Sequence, residues 1–317
     1  MSPTLLRILL LAAFILPGGC TIVVPLGGSR PAMQEVIAQP GSRDKIAIIP
    51  ITGIIQSTES KSVLRSRPSP VASLASRLRL AEQDAAVKAV LLTINSPGGS
   101  VAASDLLYHQ LRDFRERSGK LVVAQLLDVG ASGGYYSALA ADEIHALPTS
   151  ITCSIGVIVV QVSADKLLRN HGLEINAYTS GERKDAGAPY KAASIKDKQL
   201  FTTLVSDFSQ QFFELVTDRR SPDADAREYT QGGVCTANQA LEWGLIDGIH
   251  YPEETIERIR DNLKLDQPTL VNYEYQHSNN PSLYQASLQA GGSPFNPLPE
   301  SFSTRLTPGI YYLANNW

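Results

Sequence analysis

Histidine and cysteine are scarce in this chain of 317 residues, with five of the first (His109, His145, His171, His250, His277) and three of the second (Cys20, Cys153, Cys235), all widely spaced. Tightly held metals need clustered ligands, so a structural zinc is excluded and no metal cofactor is expected. Charge is also sparse. Lys and Arg number 28 against 31 Asp and Glu, a net charge of −3, and no long basic run occurs. Nucleic acid is therefore excluded as a partner, because that partnership needs an excess of cations for the phosphates. Apolar residues, by contrast, make up 43% of the chain, too many for a disordered polymer. The length suits one domain of roughly 220 residues with appendages.

The N-terminus reads as Arg7, the apolar run Ile8 to Leu16, then Pro17, Gly18, Gly19 and Cys20. A charged start, a short apolar core and a small-residue exit make an export signal. The run falls short of the roughly 20 residues that cross a bilayer, so cleavage is expected rather than a span. Leu-Pro-Gly-Gly-Cys resembles a bacterial lipobox, with Pro17 where that motif usually has Leu. The resemblance implies that Cys20 becomes the acylated first residue of a membrane-tethered lipoprotein. Residues 21–44 carry Pro25, Gly27, Gly28, Pro31, Pro40 and Gly41 with little periodicity and read as a linker, so the domain is expected to begin at Lys45.

Ile46–Ile49 and Ile51–Ile55, broken by Pro50 and Gly53, form a β-branched run that predicts a buried strand with an irregularity. Leu74, Leu78, Ala81 and Ala85 recur at helical spacing, and Val87–Ile94 is a continuous apolar run ending in Asn95-Ser96-Pro97-Gly98-Gly99. The cycle then repeats. Ser104 is expected to cap a helix running to Phe114, Lys120–Leu127 predicts a second buried strand, and Gly130-Ala131-Ser132-Gly133-Gly134 is a second glycine turn. Further strands are expected at 143–147 and 156–160, and helices at 164–170 and 196–219. Strands alternating with helices give an α/β fold with a mainly parallel sheet. The protein domain is expected to span 45–265, and the proline-rich residues 266–317 to form an extended tail.

Sites in parallel α/β sheets lie beyond the carboxyl ends of the strands, so the two glycine turns are expected to face one crevice. The first offers backbone N–H groups unobstructed by Cβ atoms. The second offers Ser132 as a nucleophile with the Gly133 N–H beside it, a pairing suited to stabilising an oxyanion. Gly130-x-Ser132-x-Gly134 also fits the nucleophile elbow of α/β-hydrolases, for which Asp247 and His250 are the late acid and base candidates. A serine can instead be activated by a lysine kept neutral through burial.

The ordered motifs Lys45-Ile46-Ala47-Ile48-Ile49-Pro50-Ile51-Thr52-Gly53, Asn95-Ser96-Pro97-Gly98-Gly99, Ala131-Ser132-Gly133-Gly134-Tyr135-Tyr136, Ser154-Ile155-Gly156-Val157, Gly181-x-x-Lys184-Asp185 and Ala240-x-x-x-Gly244-Leu245-Ile246-Asp247 cover about residues 45–250. In these the chain resembles the short form of bacterial signal peptide peptidase A, a Ser-Lys protease with a ClpP/crotonase-like fold. The resemblance implies Ser132 as nucleophile, Lys184 as general base, Ser154 as the hydroxyl that orients the lysine, and the Gly99 and Gly133 amides as the oxyanion hole. It also implies a membrane-tethered endopeptidase of the bacterial envelope, facing the periplasm or the extracytoplasmic side. Such an enzyme acts on signal peptides and other extended peptides, needs no cofactor, and assembles as a homo-oligomer with sites shared between protomers. Cys153 stands where the family commonly has Gly, and Gly233 and Cys235 depart from its pattern around Val234. With Cys20 acylated, Cys153 and Cys235 are left free to pair in an oxidising periplasm, a pairing that sequence leaves open. Two rival readings are a catalytically idle envelope scaffold of the same fold and an α/β-hydrolase using the G-x-S-x-G serine.

Overall fold

The computed structural model describes residues 33–62, 65–220, 231–275 and 309–313, so the export signal and most of the proline-rich tail lie outside the described residues. In chain order the strands and helices begin with β1 (Met33–Gln39), β2 (Ser42–Thr52), the short pair β3 (Ser60–Ser62) and β4 (Arg65–Arg67), and α1 (Pro70–Gln83). Next come β5 (Val87–Ser96), β6 (Gly98–Ser100), α2 (Val101–Ser118), β7 (Leu121–Gly130), α3 (Gly133–Ala138), β8 (Glu143–Ala146), β9 (Ile151–Cys153) and β10 (Ile158–Val160). The last are α4 (Asp165–Asn170), α5 (Ile195–Arg220), β11 (Val234–Thr236), α6 (Ala237–Glu242), β12 (Gly248–Ile249), α7 (Pro252–Leu263), β13 (Pro268–Tyr275) and β14 (Gly309–Leu313).

The main sheet runs β1-β13-β2-β5-β7-β8-β12. Along this path the pairings from β13 to β12 are parallel and the edge strand β1 is antiparallel to its neighbour, while β9 branches parallel from β7 and pairs antiparallel with β11. This is the α/β class with a mainly parallel sheet. Along β2, Ala47, Ile49 and Ile51 enter the larger core under α1, α2 and α3, whereas Ile46 and Ile48 enter a smaller one with Ile259 of α7. Alternate residues thus point to opposite covered faces, which is why β2, β5 and β7 read as unbroken apolar runs rather than alternating ones.

The sheet extends past both expected domain boundaries. Residues 33–44, read as linker, form β1 and the start of β2, and residues 268–275, read as tail, form β13 between them. β1 is an edge strand with only Met33, Val36 and Ala38 half-buried, so its apolar signal is weak in the sequence. Helix α2 also begins earlier than expected. Ser100, not Ser104, is its cap, with extended backbone and a hydroxyl that accepts from Ala103 N at 3.3 Å. Ser104 sits one turn inside, fully buried, donating to Ser100 O at 3.0 Å. Among the described residues no helix is long and apolar enough to cross a membrane.

Candidate active site

Because β5 and β7 are adjacent and parallel, both glycine turns leave the sheet at the same end. Ser96, at the end of β5, ties them together. Its buried hydroxyl donates to Gly53 O at 2.6 Å and accepts from Gly98 N at 3.1 Å, while its carbonyl accepts from Ala131 N at 3.1 Å. A Cβ on Gly134 would lie 2.8 Å from that same carbonyl oxygen, so only glycine lets the second turn approach the first so closely.

Ser132 follows at the start of α3 with φ 52° and ψ −118°, a conformation that is strained for any residue with a Cβ. Its N–H donates to Cys153 O at 2.8 Å, and its carbonyl accepts from Tyr136 N at 2.8 Å. The side chain is fully buried, and its Oγ has no hydrogen-bond partner among the described residues. A buried hydroxyl without a partner is costly and rare outside functional sites. Next to it, a Cβ on Gly133 would overlap Ser104 Oγ and sit 3.1 Å from Gly99 N, so the second glycine turn packs directly against the first. Gly98 O and Ser100 N both bond to Ile55 at 2.9 Å. Strand alternation therefore turns the Gly99 N–H to the opposite side of β6.

On that opposite side lies β14. It runs antiparallel to β6, with Tyr312 opposite Gly99, and antiparallel to β10, with Ile310 opposite Val159. A short three-stranded sheet, β10-β14-β6, thus borders the serine turn, and its central strand comes from the chain's own C-terminal segment.

Ser154 is buried one residue beyond the carbonyl that anchors Ser132. Its N–H donates to Gly233 O at 2.7 Å, and its hydroxyl donates to Gly232 O at 3.2 Å. Cys153 and Cys235 are joined as a disulfide, with Cα atoms 5.5 Å apart.

Lys184 is placed differently. It is exposed, in a turn where its N–H donates to Gly181 O at 3.0 Å, and no hydrogen bond joins it to Ser132 or Ser154. The turn is held by neighbours that sequence reading passed over. Lys191 Nζ lies 2.6 Å from Asp185 Oδ1 and 3.4 Å from Asp197 Oδ2. The hydrogen bond to Asp185 raises the ammonium's pKa. The Ser194 N–H and then Lys191 hold the Asp197 carboxyl below its usual range. Ser194-Ile195-Lys196-Asp197 is a reciprocal cap for α5, with bonds of 3.1 Å both ways. That S-x-x-D spacing was visible in the sequence.

The hydrolase triad is not assembled. Asp247 accepts from Ile144 N at 2.7 Å and pairs with Arg220 at 2.9 Å, while the His250 ring packs edge-on against His145 at 4.9 Å. Both side chains are committed to holding β8, β12 and α7 together, and Ser132 Oγ receives no bond from either. Among the described residues no group of His, Cys, Asp and Glu could hold a metal ion.

Similarity to known proteins bears on this geometry. The profile described as "Peptidase family S49" matches residues 115–266, a stretch holding Ser132, Ser154 and Lys184 but not Gly99. A protein of Enterococcus faecium named as a signal peptide peptidase SppA is 29% identical over 78% of this chain and 72% of its own. A protein of Synechocystis sp. named as a protease is 32% identical over 67% of this chain and 72% of its own. The chloroplastic serine protease SPPA of Arabidopsis thaliana is 32% identical over 66% of this chain, which spans only 31% of that longer protein. With a relative 32% identical over 72% of its own length and the family profile matched, the chain belongs to peptidase family S49 and is a serine protease of that family.

Proposed function

We propose that the protein is an endopeptidase of the bacterial envelope that cleaves extended peptides, signal peptides among them, with Ser132 as nucleophile and Lys184 as general base. The observation that carries this is Ser132 itself: a strained, fully buried serine whose Oγ has no partner among the described residues, flanked by the glycine pair Gly99 and Gly133. In the reaction, the Lys184 amine takes the Ser132 proton as Oγ attacks the scissile carbonyl. The Gly99 and Gly133 N–H groups stabilise the oxyanion, and the proton passes to the departing amine. Water then hydrolyses the acyl-enzyme by the same route in reverse.

A lysine serves as base only when it is shielded from water, and Lys184 is exposed in the single chain. The reading is that a second copy covers it and completes the site. Large apolar side chains left open around this turn support that assembly: Leu167, Leu173 and Ile175, with Tyr178 at 96% and Ile195 at 76% exposure. The seating of β14 between β6 and β10 supports extended peptides as the substrate form, since a strand already fits there. The buried Cys153–Cys235 disulfide fits an oxidising compartment, in keeping with export and tethering through an acylated Cys20.

The test is complementation. Ser132→Ala and Lys184→Ala proteins, each inactive on a peptide panel, are dissociated, mixed and reassembled. Recovery of activity is expected, because some interfaces then pair an intact serine with an intact lysine. Verified mixed oligomers with no activity would refute a site shared between copies, and near-normal turnover in either single variant would refute the dyad.

A further inference from the structure

The backbone that fixes Ser132 is itself under strain, and a covalent bond holds it there. Cys153 has φ 64° and Ser154 φ 53°, two successive residues with side chains in the left-handed region that glycine favours. Cys153 closes β9, a strand of three residues that meets β7 at the single pair Val129 and Ile151. One further bond anchors β9 to that neighbour, from Thr152 Oγ1 to Gly130 O at 2.7 Å. On its other side β9 pairs with β11, which is equally short, and Ser154 adds its N–H to Gly233 O at 2.7 Å and its hydroxyl to Gly232 O at 3.2 Å, so the disulfide is the covalent member of a seam of few bonds. The Cys153 carbonyl is nevertheless the acceptor for the Ser132 N–H, at 2.8 Å. A flip or slide of the 153–154 peptide removes that acceptor and frees the serine turn.

We infer that the Cys153–Cys235 disulfide is a positioning crosslink for the nucleophile. It clamps β9 to β11, keeps the 153–154 backbone in its left-handed conformation, and so holds the acceptor that sets the Ser132 turn. Neither sulfur touches substrate. Both cysteines are buried, Cys153 fully and Cys235 at 5% exposure, so the bond is sealed from solvent in the folded protein. The crosslink substitutes for a glycine, which would adopt the Cys153 conformation without strain. In a reducing compartment the two thiols stay separate, the serine turn is loose, and the protease gains full activity only once oxidation joins them. This inference rests on Ser132 being the nucleophile.

The experiment uses the full chain and reads the rate at which a fluorophosphonate labels Ser132, together with kcat and KM on one peptide. All readings are taken at a temperature where circular dichroism shows each protein folded. Cys235→Ala removes the crosslink and leaves Cys153 strained, and labelling and kcat are expected to fall by about tenfold or more with KM little changed. The paired variant Cys153→Gly with Cys235→Ala also lacks the crosslink but relaxes the backbone, and is expected to recover most of the wild-type rate. Wild-type protein unfolded and reduced by dithiothreitol, whose two thiols become a cyclic disulfide as both cysteines become thiols, then refolded under reducing conditions with both free thiols counted, should match Cys235→Ala and regain activity on reoxidation. This arm also serves if Cys235→Ala does not fold. Unchanged labelling in Cys235→Ala or in the reduced protein would overturn the inference, as would a glycine variant no faster than Cys235→Ala. A wild-type protein that turns over peptide yet takes no label at Ser132 would instead overturn the nucleophile assignment beneath it.

Discussion

Replacing Gly99 by alanine tests whether the first glycine turn is as rigid as an oxyanion donor requires. The new methyl carbon would overlap the Ile55 carbonyl oxygen and lie 2.5 Å from its carbon and 2.6 Å from its Cα. All three are main-chain positions, so no side chain can turn aside, and β6 and the Ile55 segment must separate. Separation breaks the bonds from Ile55 N to Gly98 O and from Ser100 N to Ile55 O, both 2.9 Å. At a net cost of about 1 kcal/mol each these account for about 2 kcal/mol. Displacing the fully buried Ile55 side chain adds about 2 kcal/mol of overpacking. A loss of about 4 kcal/mol is therefore expected, read as a lower urea midpoint at unchanged slope. Gly181→Ala is the control, since nothing lies within 4 Å of its added carbon and its φ is ordinary. It should change stability by no more than about 0.5 kcal/mol. A Gly99→Ala protein within about 1 kcal/mol of wild type would refute the reasoning, because the turn would then yield cheaply and could not hold its amide in place.

Three further outcomes are expected. Burial, reinforced by His250 and Arg258, lowers His145 from 6.5 to about 4 in the folded protein. The unfolded chain therefore takes up the proton first as pH falls, so stability should be complete above about 6.5 and drop by about 3 kcal/mol on the way to 4. His145→Gln should flatten that part of the urea-midpoint profile, and an equally steep decline in the variant would place the acid sensitivity elsewhere. Ending the chain at Tyr275 removes β14 from between β6 and β10 and should lower the peptide KM by at least about threefold. An unchanged KM would show that β14 and substrate do not compete. Cys20→Ser should release the protein from membranes or leave its export signal uncleaved, and unaltered retention and processing would remove the lipid tether.

By itself the sequence determined the α/β class, the central strands and the serine turn. Val87–Ser96 and Leu121–Gly130 are buried on both faces, and such strands show as unbroken apolar runs whatever surrounds them. Gly133 and Gly134 are legible for a related reason, since close backbone approach admits no other residue. The edge of the sheet was not legible. β1 buries little, and β13 earns its place only by lying between β1 and β2, partners separated from it by more than 200 residues. Long-range pairing leaves no local periodicity to read. The same holds at the site. Cys153 and Cys235 are 82 residues apart, and only the antiparallel pairing of β9 and β11 brings them within bonding reach. The serine turn and the family resemblance named Ser132 and Lys184. That one is sealed in the core while the other stands in solvent was decided by tertiary structure, because burial depends on which surfaces meet and a motif carries no record of that.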